Sequence, residues 1–533
     1  MARVINASQA ASLVDDGDTI LIGGSGAGHS VPDFLIEAVG KRFAAEAKPT
    51  GLTTVHPVGL GDRAQRGIGH LAHPGLLKRV VCGTLVDSPP IEKLAIENKI
   101  EAYTLPQGCL SQLTREMAAG RPGLITHVGL KTFVDPRNGG GKQSDLAKDD
   151  LIDLVTVAGR DYLHFKPFHI DIAFLRGTTA DEDGNITMEH EAVFGEMLSM
   201  AQAARRSGGI VIVQVKRLAN RGTLAPKQVK IPGMLVDFIV VDPNQTQTFF
   251  TAHDPAYAGE LKVPLSELAK LPFSPRKVIA RRASLELFPH AICNLGSGVS
   301  TGIAAIAAEE HALDAVVLTN EQGLIGGAPA TGNEPGAARN YHAMVDQPYQ
   351  FDFYDGGGLE LAFLSFAEVD EHCNVNVSRF GNKIVGPGGF INISQNAQTI
   401  VFSGTFTSGG LEIDWPDGQT RISREGREKK FVRAVEQVTY SGELANENGQ
   451  RALYVTERAV FRRNEHGRLE LIEIAPGIDL ERDILGQMEF KPDIAKDLRQ
   501  MDARLFRPEP MGLAAIISAN QPRARSPRLA RIS

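Results

Sequence analysis

Apolar residues along this chain come in short, β-rich runs that end in glycine: "TILIGG" (19–24), "LTTVHPVG" (52–59), "IDIAFLRG" (170–177) and "GGIVIVQV" (208–215). Between them lie stretches with the 3.6-residue apolar period, such as "VPDFLIEAVGKRF" (31–43) and "AVFGEMLSMAQAARRS" (192–207). Strands alternating with helices predict an α/β fold with a largely parallel open sheet.

The pattern also repeats. "IDIAFLRGTTADEDGNIT" (170–187) matches "LELAFLSFAEVDEHCNVN" (359–376) at one constant offset: Ala173 with Ala362, Phe174 with Phe363, and Asp181, Glu182 and Asn185 with Asp370, Glu371 and Asn374. The same offset brings "VIV" (211–213) onto "IVF" (400–402), and "ILIGGSGAG" (20–28) aligns with "ICNLGSGVS" (292–300). Such self-similarity predicts two copies of one α/β unit in tandem. We place them at 1–275 and 276–510, with a basic, Pro-containing, disordered tail at 511–533. The first copy is about 83 residues longer between matched points, an excess expected within 85–165. Copies set face to face bring their strand ends to a shared crevice, where open α/β sheets bind ligands. After residue 410 the pattern changes: "ALYVTERAVFRRNEHGRLELIEIAPGIDL" (452–480) reads as two strands joined at "NEHG", then a strand closing at Pro476-Gly477.

Composition adds limits. The 533 residues exceed one hydrophobic core. With 42% hydrophobic and 22% charged residues and a net charge of -7, nothing points to nucleic acid or a membrane surface. No apolar run approaches a membrane span of ~20 residues. The N-terminus lacks a secretory apolar core. Four scattered cysteines form no metal or redox motif, which fits a reducing, cytoplasmic setting.

Several motifs yield little. "GGSGAGHS" (23–30) fails the dinucleotide fingerprint, because His29 stands at the third glycine position. "DEDGN" (181–185) lacks the other ligands of a calcium loop and reads as a tight turn. "HLAH" (70–73) and "HFKPFH" (164–169) have no third ligand at telling spacing, so no metal site is expected. Three stretches remain. In "TNEQGLIGG" (319–327), Glu321 ends an apolar run; in "AYTLPQGCLSQL" (102–113), Gln107 sits in a Pro-Gln-Gly turn; "IVGPGGFINISQNA" (384–397) offers a glycine turn. In the first copy Val58 or a neighbour stands where Glu321 stands in the second, so the fold unit itself does not demand the glutamate.

Together these stretches resemble family I coenzyme A transferases, nearest to the single-chain acetate/propionate CoA-transferases and more distantly to succinyl-CoA:3-ketoacid CoA-transferase. The likeness extends through "GRPGLITHVGLKTFVDPR" (120–137), "QFDFYDGGGLELAFL" (350–364), "GNKIVGPGGFINI" (381–393), "YVTERAVF" (454–461) and "EIAPGIDLERDIL" (473–485). It implies two related α/β domains with the active site between them. It also implies a short-chain acyl-CoA:carboxylate exchange in which Glu321, in its Glu-Gln-Gly context, carries first the acyl group and then CoA as a glutamyl-CoA thioester. Gln107 and the N–H groups of Gly388 and Gly389 become candidate oxyanion donors. Gly296, Ser297, Gly298 and Val299 become candidate CoA contacts, and Gly24, Gly26 and Gly28 a candidate acyl-pocket wall. Coenzyme A and acyl-CoA are then substrates, with no permanently bound cofactor, and a homodimer or homotetramer is expected. An acyl-CoA hydrolase with Glu321 activating water, and a non-catalytic or sugar-phosphate-binding relative, remain the alternatives.

Overall fold

A computed structural model describes residues 2–264, 270–330 and 332–520. Its first large sheet has eight strands, in chain order β1 (Arg3–Ile5), β2 (Thr19–Ile22), β3 (Leu52–His56), β4 (Leu77–Cys82), β5 (Glu101–Thr104), β6 (Ile172–Arg176), β7 (Ile210–Val215) and β8 (Phe238–Val241). They lie in the spatial order β1-β8-β7-β6-β2-β3-β4-β5, all parallel. The second sheet has ten: β9 (Ile292–Leu295), β10 (Val317–Thr319), β11 (Leu324–Ile325), β12 (Ala343–Met344), β13 (Leu361–Ser365), β14 (Thr399–Ser403), β15 (Arg451–Val455), β16 (Ala459–Arg463), β17 (Leu469–Ile474) and β18 (Asp493–Gln500), ordered β12-β11-β10-β9-β13-β14-β15-β16-β17-β18. Helices among these strands include α1 (Asp33–Glu46), α2 (Gln107–Ala118), α3 (Met197–Ser207), α4 (Gly302–Glu309), α5 (Gln347–Asp355), α6 (Phe390–Asn396) and α7 (Leu513–Ala519).

The repeat is a repeat of register. The run β8-β7-β6-β2-β3 has its counterpart in β15-β14-β13-β9-β10, parallel throughout. Ala173 lies opposite Val211, and their sequence counterparts Ala362 and Ile400 lie opposite each other. Helices α1 and α4 make the equivalent crossovers, β2 to β3 and β9 to β10. Even the polar corner recurs. Asp181 accepts the N–H groups of Asp183 and Asn185 and the Asn185 amide at 3.0, 2.9 and 3.0 Å. Asp370 does the same for His372, Asn374 and the Asn374 amide at 3.0, 3.0 and 2.9 Å. These are Asx turns, and they fill the place where a calcium loop was weighed.

Beyond β3 and β10 the halves diverge. After β3 the chain continues into parallel β4 and β5, then α2 and a three-stranded sheet ending at Phe165. The excess of the first half therefore runs over 77–165, and Gln107 belongs to it. After β10 the chain turns straight back into β11, antiparallel, with Thr319 opposite Ile325. The turn needs Gly323, whose φ is +102° and whose missing Cβ would stand 2.1 Å from the Val345 carbonyl oxygen.

Two expectations change. The three strands between 451 and 474 are divided otherwise than read, two before "NEHG" and one after it, because Thr456–Arg458 breaks the first run: Arg458 N–H and Ala459 N–H both donate to Thr456 Oγ1. "NEHG" joins the second and third. Of the tail expected to be disordered, residues 513–519 form α7, since Leu513 and Ile517 bury fully in the second core. The Glu310 carboxylate fixes its start, accepting Met511 and Leu513 N–H at 3.0 and 2.8 Å. Residues 521–533 lie outside the described residues. No described helix is long and apolar enough to cross a membrane.

Candidate active site

A cavity of about 310 Å³ opens where the two sheets meet, walled by Gly26, Val58, Thr84, Asp87 and Gln107 of the first half and Gly296, Ser297, Glu321, Gly386 and Gly389 of the second. Val58 and Glu321, equivalent by the repeat, line the same space. The turn that carries Glu321 is tied by Asn320 N–H to Leu324 O and Gly323 N–H to Asn320 O, at 3.1 and 3.2 Å. Glu321 Oε1 accepts Gln322 Nε2 at 3.2 Å. Burial pushes its carboxyl above the usual carboxylate range, opposed by hydrogen bonding from its own backbone, Gln322 and Asn294. Behind the turn, the Tyr354 hydroxyl bridges Thr319 Oγ1 at 2.8 Å and Asn294 Nδ2 at 3.2 Å.

The glycine turn 385–389 lies against both Glu321 and the first half. A Cβ on Gly389 would touch Glu321 Cγ at 3.3 Å, so the Gly389 backbone lies beside the carboxylate. Its N–H has no acceptor among the described residues. Gly388 differs from expectation. Its φ of +49° turns its N–H to Gly83 O at 2.8 Å, where it is engaged rather than free, while its carbonyl accepts Gln107 N–H at 2.8 Å. Leu85 N–H and Thr84 Oγ1 hold Val385 O at 2.9 and 2.7 Å. A loop of the second half is thus fastened to a loop of the first.

Gln107 opens α2 and is buried. Its Nε2 donates to Gln347 Oε1 at 3.1 Å, and its Oε1 lies on the Gly388 side, 3.8 Å from where a Cβ on Gly388 would stand. The remaining candidates separate. Gly296 and Ser297 line the cavity. Gly298 and Val299 do not: Gly298 O accepts Arg276 Nη2 at 2.6 Å, Val299 N–H donates to Ser365 Oγ at 3.1 Å, and the Val299 side chain packs on the second core. On the first loop only Gly26 reaches the cavity. Gly24 and Gly28, at φ +123° and +81°, shape the loop, and side chains there would run into Val31 and the Phe249 ring.

Sequence reading missed several neighbours. Asp87, beyond β4, is pushed up to about 6 by burial, with the Arg63 guanidinium at 3.7 Å opposing. A hairpin (Ala328–Pro329 with Ala338–Arg339) covers the cavity through Pro329, Ala330, Pro335 and Gly336. It is tethered to the first half by His29 Nε2 at Pro335 O (3.1 Å), Thr248 Oγ1 at Glu334 (2.7 Å) and Arg339 at Asp254 (2.7 Å). None of these carries a local sequence signal; each matters only through what the fold brings opposite it. Among the described residues His190, His253 and Glu260 stand close enough to share a cation, but the Arg217 guanidinium lies 3.5 Å from His190 Nε2 and none of them lines the cavity.

Known proteins resemble this chain over almost its whole length. The family described as "Coenzyme A transferase" matches residues 4–242. The chain is 46% identical to the acetate CoA-transferase YdiF of Escherichia coli K12, covering 96% of each. It is 45% identical to the caffeate CoA-transferase of Acetobacterium woodii, covering 97% of this chain and all of that one. The crystal structure of the acyl-CoA transferase YdiF from E. coli O157:H7 as a thioester complex with CoA superposes with a TM-score of 0.91 at 44% identity, over 96% of this chain and 97% of that one.

Proposed function

This chain belongs to the coenzyme A transferase family, and from that premise we propose that it moves CoA between short-chain carboxylates, acetate and propionate foremost, through a thioester on Glu321. The observation that carries the reading is the half-buried Glu321 carboxylate, on a tight turn in the inter-half cavity, with the Gly389 backbone against it.

A Glu321 oxygen attacks the thioester carbonyl of an acyl-CoA, the C–S bond breaks, and an acyl-glutamyl anhydride and CoA thiolate result. The thiolate then attacks the glutamyl carbonyl and expels the free carboxylate, leaving glutamyl-CoA. An incoming carboxylate reverses both steps, so one thioester is exchanged for another without external energy. A carboxylate is a weak nucleophile, and placing it in attack geometry supplies several kcal/mol. Each addition puts negative charge on a carbonyl oxygen. Gly389 N–H and the Gln107 amide are the donors this reading assigns to it. The hairpin over Pro335 and Gly336 keeps out water that would hydrolyse the thioester. Gly296 and Ser297 take the CoA side of the cavity and Gly26 and Val58 the acyl side. This reading takes 1–275 and 276–510 as the two halves of the enzyme. Four buried free thiols support a reducing cytoplasm, and a homodimer or homotetramer, measured by sedimentation, belongs to the same reading.

The test is incubation with acetyl-CoA and no acceptor. We expect a CoA adduct on the Glu321 peptide, removable by borohydride or hydroxylamine, and loss of transfer by at least ~10³-fold in Glu321→Ala. Steady CoA release without an acceptor would instead mark a hydrolase. Full exchange activity in Glu321→Ala would mark a protein whose glutamate is idle. A panel of acetate, propionate, butyrate, lactate, acetoacetate and caffeate as acceptors ranks the substrates.

A further inference from the structure

Glu196, on the N-terminal edge of α3, is buried and lines no part of the cavity, yet one row of side chains joins it to the cavity wall. Its Oε2 accepts Ser111 Oγ at 2.9 Å and Gln347 Nε2 at 2.9 Å. Gln347 Oε1 accepts Gln107 Nε2 at 3.1 Å. Gln347, buried at the start of α5, is pinned by its own N–H to Gly195 O at 2.9 Å, next to Glu196 in the chain. The order is Glu196, Gln347, Gln107, cavity. Glu196 Oε1 is buried with no partner among the described residues.

A primary amide has a donor end and an acceptor end, so a row of two amides can stand in either of two directions. A carboxylate can only accept. Ionised Glu196 therefore draws Gln347 Nε2 toward itself, which points Gln347 Oε1 at Gln107 and draws Gln107 Nε2 away from Gly388. The Gln107 oxygen is left on the Gly388 side, where an oxyanion would be repelled. Neutral Glu196 has a hydroxyl to give. Donated to Gln347 Oε1, it reverses both amides and brings Gln107 Nε2 to the Gly388 side, beside the free Gly389 N–H.

We propose that Glu196 is a positioning residue whose proton sets the direction of the Gln347–Gln107 row, so that the neutral acid presents the Gln107 donor to the reacting carbonyl and the carboxylate withdraws it. The inference rests on the assignment of Gln107 as an oxyanion donor. The surroundings favour a retained proton. Burial pushes the Glu196 carboxyl up to about 8, the Ser111 hydroxyl opposes this, and the charge of Asp346 adds to it. Asp346 precedes α5 and is paired with Lys230 Nζ at 3.2 Å. From α2 Glu196 meets the Ser111 hydroxyl, and from α3 the Ser199 hydroxyl, which donates to its backbone oxygen at 3.0 Å; neither is charged.

The experiment is kcat and KM for acetyl-CoA-dependent transfer against pH, for the wild type, Glu196→Gln, Gln347→Leu and Gln107→Ala. The wild type should lose kcat above pH ~8, about tenfold per pH unit, with KM unchanged. Glu196→Gln offers both a donor and an acceptor at every pH. It should lower kcat only a few-fold at neutral pH and abolish the alkaline fall. Gln347→Leu severs the row, should abolish the same fall, and decides the matter if Glu196→Gln does not fold. A wild type without the fall, or Glu196→Gln or Gln347→Leu retaining it, overturns the proposal. If Gln107→Ala keeps wild-type kcat, the assignment of Gln107 fails and the proposal with it. A crippled Gln107→Ala beside a Glu196→Gln that keeps the fall sinks the role of Glu196 alone.

Discussion

At the scale of single residues the proposed chemistry depends on one carboxylate that must be ionised and on donors that must be aimed. Burial raises the Glu321 carboxyl, while the nucleophile of the proposed reaction is its charged form. Activity should thus be lost as pH falls, with an acid limb lying above the ~4.3 of an ordinary glutamate; kcat/KM against pH locates it, and a limb at the ordinary value would contradict a desolvated nucleophile. In the proposed role of Gln107, Gln107→Ala removes a donor that acts chiefly in the transition state. It should lower kcat by ~10²–10³-fold with little change in KM, which steady-state kinetics separates from a loss of CoA affinity. Gly388 and Gly389 show how narrowly such roles divide. Adjacent glycines in one turn differ because a φ of +49° commits the first N–H to Gly83 and leaves the second beside Glu321.

At the scale of elements, the repeated Asx turns hold each half's polar corner by one carboxylate. Asp370 satisfies three donors, and around it Cys373 takes φ +65° where the first half has Gly184 at φ +87°. With that strain to hold, Asp370→Ala should cost about 1–3 kcal/mol, read as a lower urea midpoint with an unchanged slope. The hairpin β10–β11 is the other decisive element. Where the first half runs on into β4, the second turns back within four residues, and that reversal is what presents Glu321 to the cavity. The strand runs and their glycine ends were legible because period-2 apolar patterns and turn glycines are local properties. Helix α7 was not, because "LAAIISA" (513–519) is one short apolar run ahead of a basic tail, and nothing local to it says which core Leu513 and Ile517 enter.

At the scale of the whole molecule the cavity exists only because the halves are fastened together, by the 385–389 turn on Gly83–Leu85 and by the hairpin on His29 and Thr248. His29 is fully buried, and burial pushes its imidazole down to about 4. Its folded value lies below the ~6.5 of an unfolded histidine, so between these values the unfolded chain binds a proton that the native state refuses. Stability should therefore be complete above pH ~6.5 and fall as pH drops toward 4. Thermal unfolding across that window, compared with His29→Gln, measures it. A midpoint whose pH dependence is the same in both proteins would exclude His29.

The sequence by itself determined the alternation of strand and helix and the duplication with its register, because these are written in local period and self-similarity, and it marked Glu321, Gln107 and the glycine turn as candidates through short motifs that resemble those of a known family. Tertiary structure alone decided which of these meet. It set Gly388 against Gly83 and left Gly389 free. It removed Gly24, Gly28, Gly298 and Val299 from the cavity wall, and it brought Glu196 behind Gln107 through a residue 240 positions away. The physical reason is that a hydrogen bond is specified by where two groups lie in space and which end of each faces the other, and neither is encoded at either position alone.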